Sequence, residues 1–290
     1  MNSNDVVHRA RQFVREANDN SIPVNLSRYA ELAKVKLREE HLGKDEAGFT
    51  VPMPNGTHTA TINRDDADER RHFTICHEIA HVVLGVPSKH EHIPAWAYAK
   101  RDPNERLCDI FAAELLMPYK PWLAFTRGLE PGLETLQDCM NEFVVSYPAA
   151  GSRLAGLAPY PCGFVTMSSG RVRYLERSAD LRQASAWISP RTPIPEGSAS
   201  HDLREAKSTG TDEREVPQDL WFENWRKGDY MWELARHFDE YDTSTALLWF
   251  DKEELPPIEH DRFGRTVSED EGLAELTGEL PWPGRSKRRP

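Results

Sequence analysis

The sequence predicts an α+β protein: a small antiparallel sheet feeding a helix with paired histidines, then a helix-turn-helix-like helical pair, then a smaller α+β region. Three observations carry that expectation. Thr74-Ile75-Cys76-His77-Glu78-Ile79-Ala80-His81 sets two histidines and a glutamate at helical spacing among uncharged flanks. Ahead of it, Gly48-Phe49-Thr50-Val51 and Thr57-His58-Thr59-Ala60-Thr61-Ile62 are strand-like runs on either side of Asn55-Gly56, which reads as a type I′ hairpin. Beyond Cys162 the apolar pattern changes from helical spacing to short β-rich runs.

Size and charge narrow the function classes. A chain of 290 residues exceeds one typical domain, and 39% hydrophobic with 29% charged residues suits a soluble protein with a real core. The net charge of −11 argues against nucleic acid or an anionic membrane as the main partner. No apolar run approaches the roughly 18 residues of a membrane span, and the polar Met1-Asn2-Ser3-Asn4-Asp5 does not open a signal peptide. The expected location is therefore the cytoplasm. There Cys76, Cys108, Cys139 and Cys162 are expected to be buried small hydrophobes, although Cys76 and Cys108 stand beside candidate ligands.

In chain order, Val6, Val7, Ala10, Phe13, Val14 and Ala17 mark a first amphipathic helix. Ile22-Pro23-Val24 breaks the chain, and Asn25 is a good cap for a second helix through Ala33. The prolines at 52 and 54 remove ladder donors, so the strand before them belongs at a sheet edge, where an extended peptide could add on or where it merely closes the sheet. Asp65, Asp66, Asp68 and Glu69 load the start of the histidine helix, and Gly85 is placed to stop it. Asp102-Pro103 then opens a helix from Asn104 to Leu116, ended by Met117-Pro118. Leu133 to Leu157 reads as helix, turn, helix. Its one basic residue, Arg153, is too little for reading DNA, so a structural pair is preferred.

Past Cys162, Gly163 to Met167 and Arg171 to Leu175 flank Ser168-Ser169-Gly170 as a second hairpin, and Ala186-Trp187-Ile188 reads as a short third strand. Ser189 to Asp219 is rich in Pro, Ser, Gly and charge and reads as a long loop or mobile insertion. The aromatic runs from Leu220 to Phe250 read as the core of a small α+β unit. The expected divisions are 1–127, 128–159, 160–255 and a disordered tail over 256–290.

The chemistry lies in the paired histidines. His77 and His81 are four apart and share one helix face, where both can grip a Zn²⁺ ion. Glu78 lies about 100° further round and can reach a water activated there, as a general base. Glu105 is the expected third ligand. Asp109, one turn on and on the same face, is placed to hold the free N–H of a ligand imidazole. Glu114 is the rival ligand; nine residues beyond Glu105, it is about half a turn out of phase. No oxyanion stabiliser stands out; His90, His92 and Tyr119 are near in sequence only.

With these residues placed, the chain resembles the ImmA/IrrE family of zinc metallopeptidases. The likeness rests on Arg71 to His81, on Glu105-Arg106-Leu107-Cys108-Asp109 running into Phe111 to Pro118, on Ile22 to Leu26 and on the helical pair. The Glu105-x-x-x-Asp109 arrangement is also similar to thermolysin-like peptidases. Some members carry a GAF-like or PAS-like sensory domain, with which the C-terminal hairpin and aromatic strands are compatible. The resemblance implies a thermolysin-like minimal protease domain and a cytoplasmic endopeptidase. Its implied substrate is a helix-turn-helix repressor, cut to derepress stress or mobile-element genes. It also leaves room for a small-molecule ligand at the C-terminal region. Two alternatives remain at this stage: a ligand-sensing regulator whose metal domain is not catalytic, and a DNA-binding regulator.

Overall fold

The computed structural model describes residues 2–43, 46–87, 102–222, 225 and 229–255. Helix α1 (Ser3–Ala17) buries Val6, Ala10, Phe13 and Ala17, the stripe its spacing predicts, and Asn2 caps it by accepting from Asp5 N–H. Helix α2 (Leu26–Leu32) starts at Asn25, whose side chain accepts from Arg28 N–H.

Strands β1 (Val35–Glu40), β2 (Gly48–Pro52) and β3 (His58–Asn63) form one sheet in the order β1-β3-β2. The hairpin and the edge position of β2 agree with the sequence reading, but two details differ. Strand β1 lies parallel to β3, so the sheet is mixed rather than antiparallel. Only Val35 of β1 is fully buried, and its charged outer face masked the alternation. The turn is not type I′ either. That turn needs positive φ at both central residues, and Pro54 forbids it; Gly56 alone is left-handed, with its N–H on Met53 carbonyl oxygen.

Gly48 lets β2 lie against the next helix. A Cβ there would come to 2.7 Å from Thr61 carbonyl oxygen and 2.8 Å from Thr74 Cγ2. Gly48→Ala should therefore cost about 1–3 kcal/mol, read as a lowered denaturant midpoint at unchanged slope. An unshifted midpoint would contradict this close approach.

Helix α3 (Asp68–Leu84) carries the paired histidines, and α4 (Pro103–Leu116) packs along it, opened by Asp102 accepting from Asn104 N–H at 2.8 Å. A short α5 (Tyr119–Thr126) follows at once and buries Trp122, where the sequence suggested only a stop. The expected helical pair is α6 (Leu133–Phe143) and α7 (Tyr147–Leu157).

The C-terminal region comprises β4 (Cys162–Ser168), β5 (Arg171–Arg177), α8 (Ala179–Gln183), α9 (Ala199–Glu205), β6 (Gly210–Pro217), α10 (Gln218–Trp221), β7 (Tyr230–Phe238) and β8 (Thr243–Trp249). Its strands form an antiparallel sheet in the order β5-β4-β8-β7-β6. Ser169 and Gly170 are both left-handed, as a two-residue hairpin requires.

Two expectations fail here. Residues 186–188 are not a strand, although Ala186 and Ile188 are buried. Residues 189–219 are not a loop, for they supply α9, β6 and the start of α10. The cause is Glu233 on β7, which is fully buried. Its carboxylate accepts from Ala199 N–H at 3.1 Å, Ser200 N–H at 2.9 Å, Ser200 Oγ at 2.7 Å and Trp221 Nε1–H at 3.1 Å. A buried carboxylate needs such donors, and they order the polar segment from a distance.

One hydrophobic core runs from α1 through α3, α4 and the helical pair to Phe164, Leu234 and Leu247 on one face of the large sheet. A second core takes Val165, Met167, Ala246 and Leu248 from the other face, with Leu181, Ile188, Trp221 and Phe222. All four cysteines are buried, and burial pushes the Cys139 thiol up to about 12. Among the described residues no helix is long and apolar enough to cross a membrane. His90, His92 and the expected tail beyond Leu255 lie outside the described residues.

Candidate metal centre

Helix α3 is polar at its start and apolar through its middle, which sinks its central turns between the small sheet and α4. His77, Glu78 and His81 are consequently buried, at 7%, 2% and 4% exposure. Candidate ligand atoms of these three side chains lie within 4.8 Å of one another. Helix α4 brings Glu105 and Asp109 against them, on the shared face its spacing predicts.

The contacts converge on one point. His77 Nε2 lies 3.1 Å from His81 Nε2 and 3.1 Å from Glu105 Oε2, and His81 Nε2 lies 3.5 Å from Glu105 Oε1. The remaining ring nitrogens are held from behind. His77 Nδ1 is 3.0 Å from Asp109 Oδ1, and His81 Nδ1–H donates to Val86 carbonyl oxygen at 3.3 Å. A carbonyl only accepts, so His81 carries its proton on Nδ1 and turns a lone pair inward from Nε2.

Val86 is a partner that motif reading missed. The signal was Gly85: left-handed at φ 65°, it folds the chain back so that Val86 N–H bonds to His81 carbonyl and Gly85 N–H to Val82 carbonyl. That double closure is a Schellman motif, and it places the Val86 carbonyl over the last turn.

Glu78 faces the same space. Its Oε2 is buried and has no hydrogen-bond partner among the described residues. Burial opposes charge on His77, yet the hydrogen bonds it donates to Asp109 and Glu105 outweigh burial and push its pKa up to about 9. Glu105 is shifted the opposite way: burial would raise it, but the two imidazoles hold it well below the usual carboxylate range. The cluster therefore favours positive charge at its centre.

This donor set can take a Zn²⁺ ion. Tetrahedral bonds of about 2.0–2.1 Å put ligand atoms roughly 3.3 Å apart, close to the three separations above. Two imidazoles, one carboxylate, fixed ring tautomers and a spare buried carboxylate oxygen all suit it.

Glu114 lies elsewhere. It accepts from Arg153 at 2.6 Å and from Arg11 Nε at 3.1 Å, at the far end of α4. Tyr119 sits under the Arg11 guanidinium, 4.2 Å from its ring centre.

Residues 30–155 match the Peptidase_M78 family model, the IrrE N-terminal-like domain. That span contains His77, Glu78, His81, Glu105 and Asp109, and the helical pair up to residue 155. No curated protein matches the chain. A solved structure described as a Mycobacterium tuberculosis transcriptional regulator superposes with a TM-score of 0.57 at 14% identity, covering 87% of this chain and 77% of its own. At that identity the likeness is one of fold.

Proposed function

We propose that this chain is a zinc-dependent endopeptidase whose substrate is a helix-turn-helix repressor. The observation that carries the chemistry is the inward triangle of His77, His81 and Glu105, with the Glu78 oxygen left over beside it. When bound there, Zn²⁺ lowers the pKa of a water molecule and polarises a carbonyl. Glu78 Oε2 is the base that takes the water's proton and hands it to the leaving amine. Glu105 completes the ligand set. Asp109 and the Val86 carbonyl keep both imidazoles turned inward.

The repressor substrate follows from the ImmA/IrrE resemblance, supported by the family match over 30–155. For the C-terminal region we propose a GAF- or PAS-like sensory part. A five-stranded antiparallel sheet with short helices between its strands is compatible with that reading. A DNA-binding reading of the helical pair loses its one basic residue, because Arg153 is spent on Glu114 and on Met117 carbonyl oxygen.

The test is metal-dependent cleavage. The purified chain should cut a helix-turn-helix repressor from the same source, stop on chelation and resume with zinc. Cleavage that survives full removal of metal would exclude this chemistry. Asp109→Asn should weaken zinc binding by about 10–100-fold in chelator competition, since it loses the carboxylate that steadies His77. Wild-type affinity in that variant would remove Asp109 from the account.

A further inference from the structure

Helix α7 packs against the large sheet and also reaches α4. One side meets the large sheet: Tyr147 and Phe164 rings are 6.2 Å apart, and a Cβ on Gly151 would overlap the Phe164 ring. From another side Arg153 reaches α4, giving one N–H to Glu114 at 2.6 Å and another to the Met117 carbonyl at 2.6 Å. Those are the last side-chain and backbone acceptors of the helix whose opening turns bear Glu105 and Asp109. The side chains of Glu114 and Arg153 are 5% and 11% exposed, so this contact is a largely buried clamp. Because a packed helix moves as a unit, a shift at its C-terminal end also displaces Glu105.

We infer that α7 is the arm by which the C-terminal sheet sets the position of α4, with Arg153 as a positioning residue for the metal site. The inference rests on the reading of that site as a zinc centre, and it names a route for its regulation. A change at the sheet face holding Phe164 passes through Gly151 and Arg153 to the Glu105 carboxylate, so the affinity for zinc reports it.

The test is a wedge and its relief, made in the full chain. Gly151→Ala should drive α7 from Phe164 and weaken zinc binding by about tenfold or more in chelator competition. Phe164→Leu added to it should make room and restore most of that loss. Val172→Ala, in the core on the opposite face of the sheet, should lower the melting temperature with zinc affinity unchanged. Arg153→Met, close in length without the charge, should weaken zinc binding as the wedge does, and it replaces the wedge if Gly151→Ala does not fold.

Folded Gly151→Ala or Arg153→Met protein with wild-type zinc affinity overturns the arm. So does a loss that Phe164→Leu leaves in place, or an equal loss in Val172→Ala, since that would track stability alone. A wild-type chain that binds no zinc overturns the zinc reading as well. The two failures are therefore distinct.

Discussion

Glu78→Gln should keep zinc and fold yet lose about 10²–10⁴-fold in cleavage rate, the usual share of a general base. The amide matches the carboxylate in shape but cannot take a proton from water at neutral pH. The loss should fall on kcat with KM little changed, because the group acts on the reacting water rather than on the rest of the substrate. Stability should not suffer. The buried Oε2 has no partner among the described residues to lose, and a neutral amide is cheaper to bury than a carboxylate. Equal turnover by zinc-loaded wild type and variant would exclude Glu78 as the base.

Glu114→Ala should cost about 3 kcal/mol, the low end for breaking a buried ion pair. Arg153 would be left buried at the end of α4, whereas Arg11, about a third exposed, could turn to water and soften the loss. The effect should depend on pH. Burial would raise the Glu114 carboxyl, but hydrogen bonds and charge from Arg153 and Arg11 hold it below its ordinary 4.5. A carboxyl whose folded pKa is depressed adds stability above its unfolded value and loses it as pH falls through the folded one. The gap between wild type and variant should therefore be full at neutral pH and shrink below about pH 4.5. Urea melts at neutral and acid pH read this directly. A gap that grows on acidification would contradict the pairing.

Local and periodic features of the fold were legible in the sequence. The stripe of α1, the Asn25 and Asp102 caps, the Gly85 stop and both hairpins come from residues close along the chain. Features set by distant partners were not. Strand β1 is mostly charged and is a strand because β3 lies beside it. The polar stretch 189–219 is ordered by Glu233, by Arg214 on Asp202 at 2.7 Å and by Arg204 on Asp242 at 2.7 Å. At the candidate metal centre, helical spacing grouped His77, Glu78 and His81 on one helix and Glu105 with Asp109 on another, and the packing of α4 along α3 joins the two sets. The Val86 carbonyl was hidden because a backbone atom leaves no mark on a motif. The fate of Glu114 depended on Arg11 and Arg153, 103 and 39 residues away.

The central claim is that two imidazoles and the Glu105 carboxylate hold one zinc. Metal analysis of the wild type, Glu105→Ala and Glu114→Gln after dialysis against trace zinc tests it most directly. About one zinc per chain is expected in the wild type and in Glu114→Gln, whose amide oxygen still accepts from Arg153, and close to none in folded Glu105→Ala. Zinc retained at full stoichiometry by Glu105→Ala and lost by Glu114→Gln would contradict it.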